Sequence, residues 1–227
     1  MNINLERLSQ SKVTSGLMII NIIVFILMSL SGGSESIENL IRFGANSKIL
    51  VAQGEWWRLF TASFIHIGFF HILFNMYFFY SLGPIFERLF GSVNFLIIYL
   101  VAGIFGNLLS FAFGDPYTVS AGASTSLYGM LGLAIGMMVT YRNDEIIRSF
   151  GASFVSVVVI NVIYSLLAPG VGVYGHLGGF IAGFLLVGIF PILGRDLATT
   201  RRLISLIILL GGAFALYKIG LRSMIGV

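Results

Sequence analysis

Apolar residues in this chain come in long runs rather than in alternation. Each run is close to the roughly 20 residues a helix needs to cross the hydrocarbon core of a bilayer. Seven runs qualify: Thr14 to Leu30, Ile67 to Ile85, Val93 to Phe113, Ser120 to Tyr141, Ile147 to Leu167, Val173 to Leu193 and Leu203 to Ile219. The stretch from Gly32 to Trp57 carries Glu35, Glu38, Arg42, Lys48 and Glu55, is too charged to cross, and reads as a long loop. Ser31, Gly32 and Gly33 follow the first run as the small residues of a cleavage site would. The apolar core of a signal peptide is only about 7 to 15 residues, however, so the first run reads as a span. The pattern predicts an all-α fold, a polytopic bundle of membrane helices.

Composition sharpens this. Of 227 residues, 57% are hydrophobic and 10% charged, against roughly 25% charge in an average soluble domain. So few charges cannot furnish the polar shell of a soluble globule. The absence of cysteine excludes disulfides, thiolate catalysis and cysteine-bound zinc. A net charge of +4 is weak ground for a nucleic-acid partner, and none is expected. The placement of basic residues matters more, because Lys and Arg collect in cytoplasmic loops. With the N-terminus inside, eight of them (Arg7, Lys12, Arg88, Arg142, Arg148, Arg195, Arg201, Arg202) are cytoplasmic and five (Arg42, Lys48, Arg58, Lys218, Arg222) are not. An N-in orientation follows. Trp56-Trp57-Arg58 has the composition of an interfacial anchor, which sets part of the first loop in the headgroup plane.

Polar side chains inside spans are costly unless they face the bundle interior or a water-filled cavity, which makes them the functional candidates. These are His71, Asn75, Asn94, Asn107, Ser124, Tyr128, Asn161 and His176. The second, fourth and sixth spans all enter from outside, so His71, Asn75, Ser124 and His176 come to similar depth, one to two turns below the outer surface. His71 and Asn75 are four apart and share a helix face, as do Ser124 and Tyr128. Gly175, Gly179 and Gly183 form a small-residue ridge on the sixth span, and Gly132 and Gly136 one on the fourth. A close crossing of these ridges brings Ser124 to His176. A serine hydroxyl needs a neighbouring base to become a nucleophile, and a neutral imidazole supplies it. His71, the Asn75 amide and the Ser124 backbone N–H are suitable donors to an oxyanion. With no Asp or Glu in the outer half of any span, the expected catalytic set is a dyad, with Tyr128 stacking on the imidazole or hydrogen-bonding near it.

These residues resemble the motifs of the rhomboid family of intramembrane serine proteases. Gly122-Ala123-Ser124-Thr125-Ser126-Leu127-Tyr128-Gly129 is similar to the nucleophile motif, the segment His66 to Asn75 to the oxyanion motif, and His176 through Gly179 to Gly183 to the histidine motif. Trp57-Arg58 resembles the first-loop signature, and Gly83, Glu87 and Gly91 match the family's Gly-xxx-Glu-xxx-Gly segment. The resemblance covers Trp56 to Leu193. It implies six core helices with a short fourth span that lets water reach Ser124, supporting roles for Gly122 and Gly179, and structural roles for Trp57, Arg58 and Glu87. Two departures stand out. Thr125 follows the nucleophile where the family usually has Gly, and is expected to narrow the space beside the oxyanion. A seventh run makes a six-plus-one architecture.

The expected organisation is a short cytoplasmic N-terminus over residues 1–13, a six-helix catalytic core over 14–193 with an interfacial first loop at 32–66, and a cytoplasmic loop and seventh helix over 194–227. The implied activity is that of a serine endopeptidase cutting single-pass transmembrane proteins near the outer membrane boundary, in the plasma membrane of a bacterium. Its partners are those substrates and the lipid bilayer. No cofactor or metal is expected, since His66 and His71 are five apart and share no helix face, and His176 has no carboxylate at its depth. Nor does the chain show the paired acidic groups or broken helices in related halves that would suggest a transporter. The alternative is an inactive rhomboid-like protein that binds membrane clients, against which stands the presence of both Ser124 and His176. The Gly ridges assign no oligomeric state.

Overall fold

The computed structural model describes residues 11–168 and 170–224. Most of the expected cytoplasmic N-terminus, residues 1–10, lies outside the described residues. Helix α1 (Lys12–Leu30) leads into a first loop that is itself folded. That loop holds α2 (Ile37–Phe43), strand β1 (Asn46–Ser47), α3 (Lys48–Ala52), α4 (Arg58–Thr61) and a 3-10 turn (Ala62–Phe64). Then come α5 (Phe69–Phe90), α6 (Ser92–Phe113), strand β2 (Val119–Ser120), α7 (Ser124–Thr140), α8 (Glu145–Ala152), α9 (Val155–Leu167), α10 (Val173–Leu186) and α11 (Thr199–Arg222).

The helical stretches Lys12–Leu30, Phe69–Phe90, Ser92–Phe113, Glu145–Leu167 and Thr199–Arg222 are long and apolar enough to cross a membrane, and Ser124–Thr140 and Val173–Leu186 are shorter apolar helices. All seven expected runs are therefore helical, and the protein is an integral multi-pass membrane bundle. Three runs depart from single full-length helices. The fourth becomes helical only at Ser124, with Ser120 in β2. The fifth breaks between α8 and α9, where the Phe154 N–H turns back to Gly151 O at 3.1 Å and Ser153 Oγ donates to Phe150 O at 2.6 Å. The sixth stops being α-helical at Leu186. The Gly188 and Ile189 N–H groups tighten onto carbonyls three residues back, and Pro191 cannot continue the ladder.

Helix α10 lies in a groove between α6 and α7, with backbones rather than side chains in contact. A Cβ on Gly179 would run into Thr125 O and one on Gly183 into Gly129 O, while one on Gly136 would come 2.9 Å from Phe184 O. On the other side a Cβ on Gly178 would stand 2.8 Å from Gly106 Cα. The predicted crossing of fourth and sixth spans is thus formed. Gly106 adds a third contributor on α6, the middle of an Ala102, Gly106, Ser110 row of small residues at four-residue spacing.

Glu87 explains the Gly-xxx-Glu-xxx-Gly segment. Its carboxylate accepts from the Val13 and Thr14 N–H groups at 3.0 and 2.8 Å, from Thr14 Oγ1 at 2.7 Å and from Ser92 Oγ at 2.6 Å. The first N–H groups of a helix have no intrahelical acceptor, so a residue from α5 caps α1 with negative charge at the favourable end of its dipole. Gly83, one turn earlier, leaves room for Thr14, whose Cγ2 would lie 2.6 Å from any Cβ placed there. Gly91 turns the chain from α5 into α6 at φ 79°.

Candidate active site

The first loop positions the segment before Ser124. β1 pairs antiparallel with β2, Asn46 opposite Ser120 and Ser47 opposite Val119. The Gly122 N–H then donates to Ala62 O at 2.9 Å and the Ala123 N–H to His66 Nε2 at 3.4 Å. Arg58 holds this loop together. Buried, it donates through Nη1 to Ile41 O at 2.7 Å and Ala45 O at 3.1 Å, and pairs with Glu55 Oε2 at 2.6 Å. The expected anchor therefore divides: Trp56 and Trp57 are exposed, while Arg58 points inward as an internal clamp.

Ser124 is the first residue of α7, so its backbone N–H falls among the groups that a helix start leaves available to an anion. Ser124 Oγ lies 2.9 Å from His176 Nε2, with both residues half-buried. The Tyr128 ring stacks on the imidazole with centroids 3.9 Å apart and planes 8° from parallel. Both modes foreseen for Tyr128, stacking and hydrogen bonding nearby, occur together. The Tyr128 hydroxyl donates to Asn161 O at 2.9 Å and lies 2.6 Å from Ser165 Oγ, which is in turn 2.9 Å from His176 Nδ1.

His71 approaches from α5. A Cβ on Gly122 would lie 2.8 Å from His71 Cε1 and Nε2 and 3.4 Å from Ser124 Oγ, so Gly122, at φ 136°, keeps open the space between the His71 imidazole and the Ser124 hydroxyl. The Ile67 N–H donates to His71 Nδ1 at 3.3 Å, which orients that ring. Asn75, buried one turn along, donates one amide hydrogen to His71 O at 2.8 Å, and a carboxamide has a second to offer.

Other candidates sort into structural roles. Asn107 donates to Leu59 O at 2.9 Å and Ser63 Oγ at 3.3 Å and ties α6 to the first loop. The Asn161 amide bonds within its own helix at Val157 O, and the Asn94 amide on α6 reaches back to Phe90 O at the end of α5. Thr125 follows Ser124 at the start of α7. It is buried, and its side chain lies in the seam with α6 and α10: a Cβ on Gly106 would meet Thr125 Cβ at 3.0 Å and one on Gly175 its Cγ2 at 3.1 Å.

Two residues of the site escape a reading by span depth. His66 sits before α5, edge-on to His71 at 5.3 Å between ring centroids. Its place in the His66 to Asn75 segment was the available signal. Ser165 is an ordinary serine in an apolar run and carries no signal of its own. Among the described residues, no three His, Cys, Asp or Glu side chains form a group that could hold a metal ion.

The Rhomboid domain matches residues 53–191. The chain is 38% identical over 204 residues to rhomboid protease GluP of Bacillus subtilis (strain 168), an alignment covering 90% of this chain and 39% of that protein. It is 36% identical over 149 residues to Rhomboid-like protease 1 of Toxoplasma gondii, covering 64% of this chain and 50% of that one. With RHOMBOID-like protein 1 of Arabidopsis thaliana it shares 37% over 150 residues, 63% of this chain and 37% of the plant protein. The chain thus spans half or less of the length of these three relatives. The matched domain holds the end of the first loop with α4 and its 3-10 turn, the α7–α10 seam and the Ser124–His176 contact, and the chain belongs to the rhomboid family.

Proposed function

We propose that this protein is an intramembrane serine endopeptidase that cleaves single-pass transmembrane proteins near the outer membrane boundary, with Ser124 as nucleophile and His176 as general base and acid. The observation that carries this reading is the 2.9 Å contact between Ser124 Oγ and His176 Nε2 at the start of the short helix α7. Nε2 takes the hydroxyl proton as Oγ attacks the scissile carbonyl, and returns it to the leaving amine as the acyl-enzyme forms. Water then attacks the ester by the same route. The Ser124 N–H, His71 and Asn75 are the oxyanion donors, and one such donor is worth about 10² to 10³ in rate.

A helical substrate hides its carbonyls in its own hydrogen bonds, so the cut segment is extended and the substrate carries helix-weakening residues there. The catalytic unit is the six-helix part over residues 14–193, with 194–227 an appended loop and span. The basic residues favour a cytoplasmic N-terminus, and similarity to a Bacillus subtilis protein over 90% of the chain favours a bacterial plasma membrane.

Labelling with a serine-reactive fluorophosphonate tests the reading. Wild type should be labelled at Ser124, whereas Ser124→Ala and His176→Ala should bind a transmembrane substrate in liposomes without cutting it. Undiminished cleavage by Ser124→Ala overturns the serine mechanism. Absence of both labelling and cleavage in wild type points instead to an inert client-binding protein.

A further inference from the structure

Ser165 is buried on α9, its hydroxyl 2.9 Å from His176 Nδ1 and 2.6 Å from Tyr128 Oη. Tyr128 Oη in turn donates to Asn161 O at 2.9 Å. The proton count along this chain has one solution. A carbonyl oxygen only accepts, so the single Tyr128 hydroxyl proton is committed to Asn161 O. The Tyr128–Ser165 contact then needs Ser165 as donor, which commits its only proton. Ser165 Oγ can therefore only accept from His176, and His176 carries its proton on Nδ1. A neutral imidazole protonated there has a bare Nε2, and Nε2 is the atom 2.9 Å from Ser124 Oγ.

We propose that Ser165 is a positioning residue that fixes the tautomer of His176 through a one-way chain of hydrogen bonds ending on the Asn161 carbonyl. This rests on the reading of Ser124 and His176 as nucleophile and base. The chain does with neutral hydroxyls what a carboxylate does in a Ser-His-Asp set, and without burying an anion in an apolar bundle. It moves no proton itself. When Nε2 takes the Ser124 proton, the Nδ1–H to Ser165 bond becomes charge-assisted and strengthens as the imidazolium forms. Tyr128 serves twice, as the stacked ring and as the next link.

The test reads the tautomer directly by ¹⁵N NMR of histidine-labelled protein in micelles, with the His176 signal assigned by its loss in His176→Ala. Wild type should show Nδ1 protonated and Nε2 bare. Ser165→Ala should populate both tautomers and lower kcat about five- to tenfold, the worth of one neutral hydrogen bond, with KM within about twofold because ground-state binding is untouched. Ser165→Thr keeps a hydroxyl and should restore both readouts. If Ser165→Ala does not fold, Tyr128→Phe is the second variant, since it keeps the ring, frees the Ser165 proton and should also mix the tautomers. An unchanged single tautomer in the folded variant, Ser165→Ala or its substitute, overturns the proposal. So does a mixed tautomer in a wild type that cleaves. A wild type with Nδ1 protonated that never cleaves upholds the chain of bonds and overturns the protease reading instead.

Discussion

The Tyr128 ring lies flat against the His176 ring, 3.9 Å between centroids and 8° from parallel. The residues come from α7 and α10, so the stack exists only because the glycine seam lets these helices touch. An aromatic pair contributes about 0.5 to 1.5 kcal/mol beyond its burial. Tyr128→Leu removes stack and hydroxyl together and should lower kcat by about tenfold or more. Tyr128→Phe should fall between it and wild type. Steady-state cleavage of a reconstituted substrate gives the order, and equal rates for the two variants would mean that stacking contributes nothing.

At the seam, Gly179→Ala and Gly183→Ala place a methyl against the carbonyls of Thr125 and Gly129. Overpacking of this kind costs about 1 to 3 kcal/mol. Both variants should melt earlier in detergent and lose cleavage. Gly211→Ala on α11, where a Cβ meets nothing within 4 Å, should be neutral or more stable by up to about 1 kcal/mol. If all three melted alike, close backbone approach would not be what the seam requires.

For Glu87, replacement by Ala strands two N–H donors at the start of α1 and the hydroxyls of Thr14 and Ser92. Each buried donor left without a partner costs about 1 to 3 kcal/mol, so Glu87→Ala should be the least stable single variant outside the seam. Glu87→Gln retains two acceptor lone pairs and should recover part of the loss. Fluorophosphonate labelling of Ser124 at low temperature should persist in both, which separates a stability role from a chemical one.

Asn75→Ala should slow cleavage by about 10² with the cut site unchanged, as mass spectrometry of the products would show. A shifted cut site would instead mark Asn75 as a substrate-positioning group. Because one of its amide hydrogens is already bonded to His71 O, Asn75→Ala should also loosen His71, and the double variant with His71→Ala should lose less than the product of the two single losses.

How much of this was legible beforehand depended on whether the signal was local. Seven apolar runs are a local property and all became helices; so is the four-residue spacing that put His71 with Asn75 and Ser124 with Tyr128. Gly179 and Gly132 announced a crossing because small residues recur at four-residue spacing on both of their helices. The first loop was opaque: its charges excluded a span, but the inward turn of Arg58 depends on how the loop folds back to set the Ile41 and Ala45 carbonyls around it, and β1 pairs with a strand more than 70 residues further along the chain, neither of which a run-by-run reading can supply. Ser165 was opaque for another reason. One serine in an apolar helix is ordinary, and only the third dimension sets it beside His176 Nδ1.

The seam around α10 bears on precision as well as on proximity. Glycine has no rotamers, so the separation of Ser124 and His176 is not set by side chains that could repack around a missing or added methylene. It is set by peptide planes meeting peptide planes, which leaves almost no mechanical play. A bundle bathed in fluid lipid thus carries Ser124 and His176 on a joint of backbone against backbone, and whatever yields to admit a substrate must yield elsewhere.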